Sequence, residues 1–259
     1  MAISKHDFPI LEHSSQEKAF INPAPDAEPF PKKCLMTFFE EVLSDFAHTH
    51  EGKVIGAYIS EMRHFPVFEV TVEGETICMM LASVGAGSIA MQADWLFGQG
   101  VETLFVCGSC GVLTDLPEGH VILPDRALRD EGASYHYLAP SRYAYPTAEC
   151  VEVLARTIEK RGIPYVRTMA WSTDGFYRET PELVEYRKSE GCGVVEMECA
   201  ALSAVATFRG KKFGQLLYSG DNLADPENYD DRDWYNNTSG RDRLFALTLD
   251  GLLAMPVDQ

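Results

Sequence analysis

Apolar positions fall along this chain in short blocks, some with helical and some with strand periodicity. Residues 35–47 put Leu35, Phe38, Phe39, Val42, Leu43 and Phe46 on one stripe, the spacing of an amphipathic helix. Runs at 65–72 and 75–81 flank Glu73-Gly74 and predict a hairpin. The glycine-rich stretch 83–88 predicts a strand-to-helix turn, with a helix over 89–97. An apolar strand is expected at 103–107, running into a turn at 108–111, with further strands at 119–124, 165–170 and 213–218. Helices are expected at 149–161 and 243–255, and a charged, aromatic loop at 129–137. Residues 1–33 break the pattern: Pro9, Pro23, Pro25, Pro29 and Pro31 exclude a long helix. The chain therefore divides into an arm, 1–33, and one α/β domain, 34–259, with 8–11 apolar enough to anchor the arm on the body or on a neighbouring subunit.

Two short stretches interrupt this regularity with chemistry. Glu196 and Glu198 sit in an otherwise apolar, small-residue run, 193–202, which continues to Phe208 with helical character. An ionised carboxylate in such a setting needs partners. Either the two form a surface pair where a strand meets a helix, or one of them accepts hydrogen bonds from a polyhydroxylated ligand. Asp221 follows the strand 213–218 through Ser219-Gly220, at the strand end, where open α/β sheets bind ligands. Gly85-Ala-Gly87 exposes backbone N–H groups that suit an anion, although a plain tight turn has the same composition.

Val-Glu-Met-Glu at 195–198 before a small-residue helix, then a strand ending in Ser-Gly-Asp at 219–221, resembles the nucleoside phosphorylases of the purine nucleoside and uridine type. Gly-Ser-Cys-Gly at 108–111, the segment 129–136 and Ser-Thr-Asp-Gly-Phe-Tyr-Arg-Glu at 172–179 extend the likeness from about residue 34 to 221, nearest to the uridine-phosphorylase-like branch. It implies a central twisted mixed β-sheet flanked by helices, and cleavage of an N-glycosidic bond with phosphate as co-substrate and no cofactor or metal. By the same resemblance Glu198 binds the ribose hydroxyls, Met197 packs on the sugar and Asp221 serves the leaving base as an acid. Burial should raise the Asp221 pKa for that task. Phe176 matches the aromatic that packs on the base, with Arg178 and Glu196 beside it. Ser109, Gly85 and Arg63, the last from across a subunit interface, are the candidates for phosphate. The likeness also implies a homodimer, or a hexamer of dimers.

Departures from the family pattern concern phosphate. Residues 21–27 lack the Gly and Arg of the family's early phosphate loop, and Val106 stands where an Arg is usual. Water as nucleophile, in a nucleoside hydrolase, is therefore an alternative, and a non-catalytic nucleoside-binding protein is another. Thr180 and Glu182 occupy the places of the pyrimidine-reading Gln and Arg, which leaves base preference open.

Composition narrows the partners. The formal charge of −17, from 39 acids and 22 bases, argues against a nucleic-acid surface. No apolar run reaches the length of a membrane span. Seven cysteines, an odd number mostly in apolar segments, suggest a reducing cytoplasm, and Cys107-x-x-Cys110 reads as buried thiols or, alternatively, a redox pair. His136 reads as a ligand-facing or a structural group, and the acidic loop 225–233 as a solvated loop or a metal site that fits no EF-hand spacing.

Overall fold

The computed structural model describes residues 3–25, 28–225, 227–234, 236, 238 and 240–256. Asp26, Ala27 and Pro226, parts of the expected phosphate-loop counterpart and acidic loop, lie outside the described residues. In chain order the elements are β1 (Lys33–Thr37), α1 (Glu40–Thr49), β2 (Lys53–Ile59), β3 (His64–Val72), β4 (Glu75–Leu81), α2 (Ala86–Gly98), β5 (Thr103–Val112) and β6 (Val121–Asp130). Then follow α3 (Ser134–Tyr137), β7 (Tyr143–Ala144), α4 (Ala148–Lys160), β8 (Tyr165–Thr173), α5 (Pro181–Ser189), β9 (Cys192–Glu196), α6 (Cys199–Arg209), β10 (Lys212–Asn222) and α7 (Arg241–Ala254).

The strands form one mixed sheet in the order β10-β6-β8-β9-β5-β1-β4-β3-β2, with β7 beside β6. Because β10 also pairs with β5, in parallel, five of the strands close into a ring: β5, β10, β6, β8 and β9. The sheet buries both faces. One core joins α2 and α6 to the sheet through Ile89, Leu96, Leu202 and Phe213. The other joins α1, α4 and α7 through Leu43, Leu154, Phe105 and Phe245. Such two-sided burial makes the inner strands continuous apolar runs.

That property explains one correction. The expected helix over 35–47 is two elements: β1 takes up Cys34–Thr37 between β4 and β5, and α1 begins only at Glu40. A short apolar run buried on both sides carries no periodicity that separates a strand from a helix. A second correction concerns 108–111, which continues β5 as strand to Val112 rather than turning. Its glycines mark close approaches instead: a Cβ at Gly108 would lie 2.7 Å from the Phe38 ring, and one at Gly111 would lie 2.6 Å from Leu223. The hairpin of β3 and β4 matches its expectation in register, with Val72 opposite Glu75.

The described residues before β1 run outside the sheet and are mostly exposed, but the arm touches the body. A Cβ on Gly98 would meet Pro23 at 2.4 Å, and Phe30 is buried, edge-on to Trp95 at 5.6 Å. Among the described residues, no helix is long and apolar enough to cross a membrane.

Candidate active site

A cleft of about 480 Å³ opens where β5, β9 and β10 end, beside the loops that follow β1 and β4. Its walls bring together Ser109 from β5, Glu196, Met197 and Glu198 from the β9–α6 corner, Phe176 from the turn after β8, and Asp221 from the end of β10. Residues that lie more than a hundred positions apart in the chain thus share one space.

The β9–α6 corner is built around Glu196. One of its oxygens accepts from the Glu198 and Cys199 N–H groups at 2.8 and 2.7 Å, which satisfies the open N-terminus of α6. The other accepts from the Ser172 hydroxyl, and Ser172 in turn accepts from Ala200 N–H. Both oxygens of Glu196 are therefore taken up by the protein's own chain. Glu198 projects from the same corner and accepts from Gly85 N–H at 2.6 Å and from Met197 N–H at 3.3 Å. Gly85, at φ +94°, thus aims its N–H at Glu198 rather than into open cleft. Burial raises the pKa of both carboxyls, and the charge of Glu196 raises Glu198 further.

Asp221 sits within a register shift of the β10–β5 pairing, between Ser219 and Asn222, and accepts from the Tyr229 hydroxyl at 3.0 Å. Burial pushes its carboxyl above the ordinary range, the direction expected of its strand-end position. Ser109 keeps its side chain toward the cleft, whereas its neighbour Val106 is fully buried in the core. Arg178 and Arg63 lie outside the walls. Arg178 is exposed at the end of the 3-10 turn Phe176–Arg178; Arg63 is exposed between β2 and β3, where it pairs with Glu40 at 3.1 Å. Thr180 caps α5, accepting from Leu183 N–H at 3.4 Å, and His136 is exposed away from the cleft.

Among the wall residues that sequence reading missed are Phe38, Phe39, Glu179, Trp234 and Arg241. The two phenylalanines carried a signal that pointed elsewhere, to a helix stripe, and Glu179 stood unused at the end of the 172–179 segment. Arg241 opens α7; it pairs with Glu41 at 2.6 Å and lies over the Phe39 ring at 5.3 Å. The two thiols at 107 and 110 are buried on opposite faces of the sheet, and loss of water raises both, Cys107 to about 12. A reactive dithiol needs the opposite shift.

The chain belongs to the Phosphorylase superfamily, whose family model matches residues 32–252. It is 26% identical over 166 residues to a guanosine phosphorylase of Halorubrum lacusprofundi, covering 64% of this chain and 69% of that one. Among solved structures it is similar to the uridine phosphorylase of Vibrio fischeri ES114, with a TM-score of 0.74 at 20% identity, covering 92% of this chain and 100% of that one. It is similar too to the AMP nucleosidase of Bacteroides thetaiotaomicron, with a TM-score of 0.68 at 22% identity over 86% of this chain and 88% of that one.

Proposed function

We propose that the protein cleaves the N-glycosidic bond of a nucleoside and transfers the pentose to inorganic phosphate, releasing the free base. The observation that carries this reading is the convergence of the Glu198 corner and the Asp221 strand end on one cleft of about 480 Å³, within the size range of small-molecule sites. Bond cleavage builds positive charge on the pentose ring and negative charge on the leaving base. A carboxylate at the sugar hydroxyls and a proton donor at the base meet those two demands. Glu198 accepts from the hydroxyls and Met197 packs on the ring. Phe176 stacks on the base, and Asp221, its pKa raised by burial, donates or shares a proton as the base departs. Phosphate attacks the opposite face of C1′, held by the Ser109 hydroxyl and by Arg63 from a second copy of the chain, which makes a homodimer the smallest active unit.

One observation favours a second reading, with water as nucleophile. The cleft carries four carboxyl groups and, among the described wall residues, Arg241 as its one cation, while the position of the usual phosphate Arg holds the buried Val106. Inosine, adenosine, guanosine and uridine, each with and without phosphate in dialysed enzyme, separate the two. Phosphate-dependent release of base with pentose 1-phosphate is expected, and Ser109→Ala and Arg63→Ala should raise KM for phosphate more than for nucleoside. Base release that ignores phosphate and yields free pentose overturns phosphorolysis in favour of hydrolysis.

A further inference from the structure

The end of the cleft assigned to the base holds more acid than the proposed reaction uses. Glu179 closes the turn Phe176–Arg178, and its half-buried carboxyl makes no hydrogen bond or ion pair among the described residues. It shares the wall with Asp221, whose one side-chain donor among the described residues is Tyr229. Loss of water and then the charge of Asp221 push the Glu179 carboxyl up to about 8. Arg241 does not neutralise the pair, because Glu41 already holds it. Aromatic faces complete the surroundings: Phe176 and Trp234 line the same cleft and remain 42% and 37% exposed. Desolvated carboxylate and aromatic faces together are what a cation, rather than a neutral ring, would gain most from.

Resting on the N-glycosidic reading above, we propose that the cleft selects nucleosides whose base carries a positive charge on a quaternary ring nitrogen, the pyridinium nucleosides, and that Glu179 is the residue that reads this charge. The chemistry balances without a proton donor at the base. The C1′–N bond breaks, its electron pair stays on the ring nitrogen, and the base leaves as a neutral aromatic. A phosphate or water oxygen bonds C1′, and the proton surrendered by that nucleophile goes to solvent. Asp221 then has no proton to deliver and contributes charge alone.

Nicotinamide riboside is the probe, run against inosine and uridine with the full-length protein, with and without phosphate. The expected kcat/KM favours nicotinamide riboside by at least about tenfold, the scale of one partly screened charge contact with aromatic support. Glu179→Gln should erase most of that preference through a higher KM for nicotinamide riboside. From pH 6.5 to 9 the preference should grow more steeply in the parent than in Glu179→Gln, because Asp221 and Glu198 titrate in both proteins and Glu179 only in the parent; equal slopes would leave Glu179 a structural role only. If the neutral nucleosides are cleaved equally well or better, charge selection is wrong while the glycosidic reading stands. A preference that persists unchanged in Glu179→Gln removes Glu179 from that role. If no nucleoside of either kind is cleaved, both readings fall together.

Discussion

Glu196 and Glu198 stand two residues apart and look alike in the sequence, yet their hydrogen bonds give them different work. Glu196 spends both oxygens on the chain, so Glu196→Ala strips the N-terminus of α6 and leaves buried N–H groups unpaired. We expect a loss of about 1–3 kcal/mol in unfolding free energy, measured by denaturant titration. Glu198→Gln keeps an oxygen for Gly85 N–H and removes the charge that would answer the pentose. The expected result is a fall in kcat of roughly a hundredfold with the melting midpoint held or raised. Near-normal turnover in folded Glu198→Gln would remove it from the sugar. Asp221→Asn should cost purine nucleosides far more than uridine, because a purine ring nitrogen takes the proton directly whereas pyrimidine charge gathers on carbonyl oxygens. Equal losses would mean that Asp221 orients the site generally.

At the scale of elements, β5 is the strand that everything at the cleft leans on. It pairs with β1 and β10 in parallel and with β9 antiparallel, so three site-bearing segments take their register from it. Gly111 leaves the gap into which Val195, Leu223 and Asp221 close, a Cβ there lying 2.9, 2.6 and 3.1 Å from them. Gly111→Ala should therefore cost about 1–3 kcal/mol by overpacking and lower kcat by moving Asp221. Unaltered kinetics with lowered stability would separate the packing from the site. Here too lies the border of what the sequence discloses. Helix α4, the β3–β4 hairpin and the run into α6 were legible because period and turn chemistry agree over many residues. The β1–α1 boundary was not, because Leu35 and Met36 are apolar in a strand buried on both faces. Nor were Phe38 and Phe39, whose place on the cleft follows from that boundary. Strand β2 escaped notice for the contrary reason: at the sheet edge, largely exposed or half-buried, it lacks a clean alternation. Arg241 reaches the cleft through the return of α7 and Trp234 through the loop between β10 and α7, which no local pattern encodes.

Across the whole molecule, the cleft is where several acids share a setting that takes water from them. Glu179, Glu196, Glu198 and Asp221 meet in one cleft of a protein whose formal charge is already −17. Desolvation is the leading cause of the raised pKa at each of them, and neighbouring carboxylates add to it at Glu179 and Glu198. A carboxyl whose pKa is higher folded than unfolded binds its proton more tightly in the native state. Its stabilising contribution is thus complete below the ordinary value, 4.5 for Glu, and is lost as pH rises through the folded value, about 8 for Glu179. The unliganded protein should accordingly lose melting temperature steadily from about pH 5 to 9, against the common pattern in which paired carboxylates stabilise as pH rises. Glu198→Gln and Glu179→Gln, neutral at every pH, should each flatten the decline, and together more than either alone. Calorimetric scans at half-unit pH steps on the parent and the three variants measure this directly. A parent profile that stays level or climbs over that interval would mean that these carboxyls ionise in the native cleft with little penalty, and the desolvated picture of the site would have to be given up.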